Sequence, residues 1–249
     1  MKRTGARWAV AALATAAGAV ALRARMGRAR TASPWASARM KPYDPDAYTP
    51  DLLAHWISEG ERQAAKDRVL LPRIAELLGP GRVLELGAGA GQLTLLLREH
   101  GLEVVASDYA PFFVEHLASL GLDARRVDAT DIAAAGIGAF PNIFAQSITP
   151  LITSDPDVIA MTYRSLRSAL APGGRLVHIH AQAERKELAA TMRAHAALAS
   201  EAGLRDVRVT RNQLLPSRAY DLPVRPFVAL AERLLGPRFG SRFVLSATA

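Results

Sequence analysis

The chain has 249 residues, half of them apolar, 22% charged and none of them Cys. That length buries a core in one domain with a tail to spare, and the lack of Cys excludes disulfides and thiolate metal sites. The formal net charge of +8 sits in the tail: residues 1–41 hold nine basic groups and no acid, whereas the remaining 208 hold 22 basic against 23 acidic groups, which argues against a nucleic-acid-binding domain.

Residues 1–40 form a basic, Ala/Arg-rich tail around WAVAALATAAGAVAL, an uncharged run at 8–22 flanked by arginines. Its 15 residues fall short of the roughly 20 that a spanning helix needs. A basic start and a short apolar core fit a secretion signal, but arginines directly after the core disfavour export. The same arginines suit an anchor that holds the domain on the cytoplasmic side. Met26 and Met40 are alternative starts, which would make the segment an extension that the domain does not need. These three readings stay open; the expectation is a cytoplasmic protein, membrane-associated where residues 8–22 act as an anchor.

From residue 41 onward, short apolar strands alternate with amphipathic helices. Helices are predicted over 51–61 and 63–78, making an N-terminal cap (41–80) that stops at Gly79-Pro80-Gly81. Then follow strand RVLEL, a helix over 92–100, strand EVVAS, a helix over 111–120, strand DARRV and a short helical piece near Ile132. Strand NIFAQ, a helix over 156–170 ended by APGG, and strand RLVHIHA come next. A helix over 184–202, strand VRVTRN, a short helix over 226–235 and strand RFVLSAT close the chain. This alternation predicts a doubly wound, Rossmann-like α/β domain. Its sheet would be mostly parallel, with an antiparallel C-terminal edge strand and helices on both faces. Residues 204–240, with four prolines, are expected to form part of a lid over the substrate.

The first strand runs into E-x-G-x-G-x-G, made of Glu85, Gly87, Gly89 and Gly91. A dinucleotide fingerprint would place its third glycine where Gln92 stands. Glu85 would also repel a pyrophosphate, whereas a zwitterionic or cationic ligand tolerates it. Asp108 ends the second strand, where a carboxylate can accept both ribose hydroxyls and exclude a 2′-phosphate. It could also cap the helix starting near Pro111. Asp128, in RRVDATDI at the end of the third strand, can accept the exocyclic amine of adenine, or serve only its turn beside a capping Asp131. The ligand implied is an unphosphorylated adenosine with a positive group near the glycines.

Five segments, LELGAGAG, VVASDYAP, RRVDATDI, NIFAQSI and SALAPGGRLVHI, stand in an order and spacing that resemble the class I S-adenosylmethionine-dependent methyltransferases, from about residue 43 to the end. The resemblance implies S-adenosyl-L-methionine as cofactor. Glu85, Gly87, Ala88, Gly89 and Gly91 would surround its methionine portion, Asp108 its ribose, Asp128 and the Ala129 backbone its adenine, and Gln146 the amine and sulfonium, with Tyr109 a further cofactor contact. Asn142 departs from the acid that the family commonly carries at the start of the fourth strand.

Methyl transfer from a sulfonium is an in-line displacement governed by orientation, with a general base needed only for an acceptor that must lose a proton. His180 is the candidate base; Tyr43, Tyr48 and His55 in the cap are further candidates. His178 and His180 share a strand face, but strand histidines usually pack against a covering helix, so no metal site is expected. AQSITPL lacks the Asn/Asp-Pro-Pro-aromatic run usual in methylases of base or amide nitrogens. The expected acceptor is a small, partly apolar molecule, lipid-like where the anchor holds, and not a nucleic acid. Two rivals stand beside this reading: an aminopropyltransferase-like enzyme, and a cofactor-binding protein without turnover.

Overall fold

The computed structural model describes residues 49–153, 155–180, 188–215, 217–221 and 225–249. The tail with its apolar run, Tyr43, Tyr48, and parts of the expected 184–202 helix and 204–240 lid lie outside the described residues. Thr49 opens the first helix, α1 (Pro50–Leu78), by accepting the Leu52 N–H on its side-chain oxygen at 3.3 Å. The sequence predicts two helices here; the structure has one of 29 residues. Glu59 accepts from Arg62 and from Gln63 at 2.5 Å each, so side-chain pairs one turn apart carry the helix across Gly60. Gly60 leaves room for the Gln92 side chain, which a Cβ there would meet at 2.5 Å and displace.

The elements then follow as β1 (Val83–Leu86), α2 (Gln92–Glu99), β2 (Val104–Asp108), α3 (Pro111–Ser119) and β3 (Asp123–Arg126). After a 3-10 turn at Ile132–Ala135 come β4 (Phe140–Gln146), α4 (Thr149–Ile152), α5 (Pro156–Ala169) and β5 (Leu170–His180). The chain ends with α6 (Leu188–Glu201), β6 (Arg205–Asn212), a 3-10 turn at Ser217–Asp221, α7 (Arg225–Phe239) and β7 (Arg242–Thr248).

Seven strands form one sheet in the order β3-β2-β1-β4-β5-β7-β6. Strands β1 to β5 pair in parallel, and β7 runs antiparallel to both neighbours. The expected mixed sheet is therefore present, with the antiparallel C-terminal strand one place in from the edge. Phe243, Val244 and Leu245 of β7 are buried, which suits an inner strand. Arg205, Asp206 and Arg208 of β6 are exposed or half-buried, and charges of this kind protect an edge from mispairing.

Alternation along the strands divides the core between the two faces. Leu84, Leu86, Ile143, Ala145 and Leu176 pack with Tyr163 and Leu166 of α5 and Ala199 of α6. Val83, Phe144, Val177 and Ile179 pack with Leu71, Ile74 and Leu78 of α1 and Leu96 and Leu97 of α2. Asn142, where the family commonly has an acid, is buried and donates to the Pro80 carbonyl at 2.9 Å. It thereby ties β4 to the turn between α1 and β1. Among the described residues, no helix is long and apolar enough to cross a membrane.

Candidate functional site

In an open parallel sheet, ligands bind beyond the carboxyl ends of the strands where the strand order reverses. Here that point lies between β1 and β4, and a cleft of about 390 Å³ opens over it. The glycine loop after β1 forms one wall. The Ala88 N–H reaches the Ser107 carbonyl at 2.8 Å, which holds the loop against β2. Gly87 has φ +69°, and a Cβ there would lie 2.5 Å from Ile148 Cγ2. The loop and the segment after β4 therefore touch in a way only glycine permits.

Glu85 reaches this wall from inside the sheet with 3% of its surface exposed. It accepts the Thr94 hydroxyl at 2.6 Å, and no cation pairs with it among the described residues. Burial pushes its carboxyl up to about 7; the Thr94 hydrogen bond opposes the rise and the neighbouring Asp108 charge adds to it. Asp108 accepts the Gly89 N–H on one oxygen and the Ala110 N–H on the other, both at 3.0 Å. Burial raises its pKa while these backbone donors oppose the shift. It makes no side-chain cap on α3, whose N-cap residue is Ala110. The Tyr109 N–H is a third backbone donor to this carboxylate, so about one of its roughly four acceptor sites is left for a further donor.

Tyr109 lies beside it in the lining, with the Arg126 guanidinium 5.6 Å from its ring centre. Asp128 accepts both the N–H and the hydroxyl of Thr130 on one oxygen, at 2.8 and 2.7 Å. The capping role falls to Asp131, which accepts the Ala134 N–H at 3.3 Å. Ala129 and Gln146 complete the set, so nine of the ten sequence-predicted cofactor residues line one cleft. Gly91 does not. It starts α2 in the left-handed conformation, and a Cβ there would come 2.9 Å from Leu117 Cδ2, so its place is in the contact with α3.

His180, the predicted base, is not in the lining. Its ring stacks on Phe243 at 4.8 Å and meets His195 of α6 at 5.2 Å. The Tyr163 hydroxyl contacts Nδ1 of both His178 and His195, at 3.2 and 2.9 Å. Burial lowers all three histidines, His180 and His195 to about 4 and His178 well below its ordinary value. These side chains seat the covering helices. His55 stacks edge-on with Trp56 at 5.5 Å and also lies outside the lining.

No protein-family model matches the chain, and no curated protein matches it by sequence. Solved structures do match it. A SAM-dependent methyltransferase from Archaeoglobus fulgidus is similar with a TM-score of 0.55 at 14% identity, over 78% of this chain and 99% of that one. A SAM-dependent methyltransferase from Thermotoga maritima, described as a possible histamine N-methyltransferase, is similar with a TM-score of 0.55 at 15% identity, over 80% and 95%. PigF with SAH is similar with a TM-score of 0.54 at 14% identity, over 81% and 60%. The fold is that of the SAM-dependent methyltransferases.

Within this methyltransferase fold, the cleft has a second end that the sequence does not announce. Trp56, Glu59, Gly60, Gln63 and Asp67 line it from α1, at a spacing of three and four residues that puts them on one helical face. Arg242 joins them from β7 and Ser147 from the end of β4. Ser147 has φ +55°, and its buried hydroxyl has no partner among the described residues. A strained non-glycine backbone with an unpaired polar group is characteristic of ligand sites. The α1 stripe was readable as a helical face; nothing in the residue types around Ser147 or Arg242 foretold their positions.

Proposed function

We propose that the protein transfers a methyl group from S-adenosylmethionine to a small-molecule acceptor. The observation that carries this reading is the meeting of three carboxylates from three strand ends on one cleft along a glycine loop, the most buried of them lacking a cation. A buried carboxylate of this kind favours a positively charged ligand. The bound cofactor would supply a methyl group on a positive sulfur with a good leaving group.

The chain's own residues would hold and orient it. Glu85 and the loop Gly87-Ala88-Gly89 face the methionine portion, and Gln146 its amine. Asp108, beside Tyr109, keeps acceptor capacity for a ribose hydroxyl. The second oxygen of Asp128, with the Ala129 backbone, is available to the adenine edge. Orientation is the main service the reaction needs, and positioning alone can contribute on the order of 7–11 kcal/mol. The α1 end of the cleft then receives the acceptor, lipid-like if the apolar tail brings the domain to a membrane.

An aminopropyl transfer would call for free acidic groups around a polyamine. Glu59 and Asp67 do line the acceptor end, but Arg62 pairs with Glu59 at 2.5 Å and Lys66 with Asp67 at 3.0 Å. That pairing favours methyl transfer. Calorimetric titration of the full chain with S-adenosylhomocysteine tests the cofactor. Binding is expected, and Asp108→Ala should weaken it by at least ~10-fold while circular dichroism stays unchanged. No heat from folded wild-type protein at millimolar ligand would overturn the reading. A labelled methyl product from a small-molecule extract then distinguishes an enzyme from a binder.

A further inference from the structure

Because β7 is antiparallel, its first residue lies at the same sheet edge as the last residues of the parallel strands. The register places Phe243 opposite His180, at the very end of β5. Arg242, one residue earlier, therefore projects at the ligand edge and lines the cleft beside α1. No parallel strand could deliver its first residue there.

The charges around it can be accounted for one by one. Glu59 is paired with Arg62 and bonded by Gln63. Asp67 is paired with Lys66, whose ammonium also donates to Gln63. Glu232 accepts the Leu214 N–H and the Tyr220 hydroxyl on one oxygen, both at 2.7 Å, while its other oxygen is buried with no hydrogen-bond partner among the described residues. Arg242 makes no ion pair with any acid among the described residues. Burial loosens its proton, against the fields of Asp67 and Glu59. Its own charge, after burial, helps bring the Lys66 ammonium down to about 8. Arg242 is half-buried, and a guanidinium partly withdrawn from water gains when an oxyanion takes its forked donors.

Resting on the methyltransferase reading, we propose that Arg242 is the acceptor-recognition residue and that the acceptor carries an oxyanion, a carboxylate or a phosphate, which pairs with it at the α1 end of the cleft. Trp56 at the rim supplies an apolar surface for the rest of such a molecule.

The test titrates the full chain, with and without saturating S-adenosylhomocysteine, with benzoate, phenyl phosphate and neutral benzyl alcohol. At least one anion should bind more tightly than the alcohol, and which one binds distinguishes carboxylate from phosphate. Arg242→Gln should weaken that binding ~10-fold or more, the loss of a charge-assisted hydrogen bond pair. Arg242→Lys should retain part of it, and S-adenosylhomocysteine affinity in both variants serves as the folding check. Absence of anion binding to the wild type, equal binding of the alcohol, or undiminished anion binding to Arg242→Gln would each overturn the proposal. Failure of S-adenosylhomocysteine to bind would overturn the cofactor reading and with it the acceptor role of Arg242, whereas the anion titration run without it reports separately on whether Arg242 holds an oxyanion, circular dichroism then serving as the folding check.

Discussion

Glu85 concentrates the physical tension of the site. Its folded pKa of about 7 stands above the ordinary 4.5, so the folded state holds this proton more tightly than the unfolded chain does. Its contribution to stability is thus full below pH 4.5 and is lost as pH rises through 7. Glu85→Gln should leave denaturant stability near pH 4.5 little changed and raise it at pH 8, by about 3 kcal/mol if the whole shift is released. The same substitution should flatten the pH dependence of S-adenosylmethionine binding, which in the wild type is expected to strengthen as pH rises through 7. Two glycines of the loop offer a second comparison. Gly87 and Gly89 both have positive φ, but only at Gly87 would a Cβ meet another atom, Ile148 Cγ2. Thermal melts should show Gly89→Ala costing ~1–2 kcal/mol for the left-handed backbone and Gly87→Ala costing more. The sequence displayed the E-x-G-x-G-x-G spacing and the acids at the strand ends. It did not display which glycine was crowded by a side chain 61 positions later, because that is a property of two segments meeting.

At the scale of elements, helix and strand order followed from periodicity, and joints between elements did not. The break expected between 61 and 63 is absent because Glu59 bridges to both Arg62 and Gln63 and because Gln92 fills the space above Gly60. Only the first of these causes is local. Asn142 shows the reverse case, a residue that looked like a departure from a family pattern and proves to hold a turn 62 positions away. Asn142→Ala would remove the side-chain donor to the carbonyl of Pro80, an exposed residue that water can reach. It should cost about 0.5–1.5 kcal/mol in urea denaturation while leaving S-adenosylhomocysteine affinity within about two-fold, since no cleft residue is disturbed. His180 was legible as a member of a strand pair facing one way. Whether that face looked onto a ligand or onto a helix was decided by α6, which brings His195 against it.

Across the whole molecule, acid should act through the sheet's interior. His178, His180 and His195 are held neutral between β5, α5, α6 and Phe243 of β7, with pKa values below 6.5. The unfolded chain binds protons that the folded state refuses. Stability contributed here is present above pH 6.5 and is lost as pH falls toward 4. Glu85 acts in the opposite direction over nearly the same interval, one group against three, so the urea midpoint should still fall between pH 6.5 and 4. Replacement of His195 by Gln should reduce that fall. The sequence by itself determined the alternation of strands and helices, the glycine loop and the three acids that end β1, β2 and the segment after β3. Those features depend on short-range geometry: residue spacing, turn chemistry and the period of each element. Only the tertiary structure decided that β7 would lie between β5 and β6 and run antiparallel, that α1 would close over the loop, and that Arg242 would stand in the cleft while His180 would not. These outcomes depend on which distant surfaces bury each other, a choice made by the packed core as a whole and written in no single stretch of the chain.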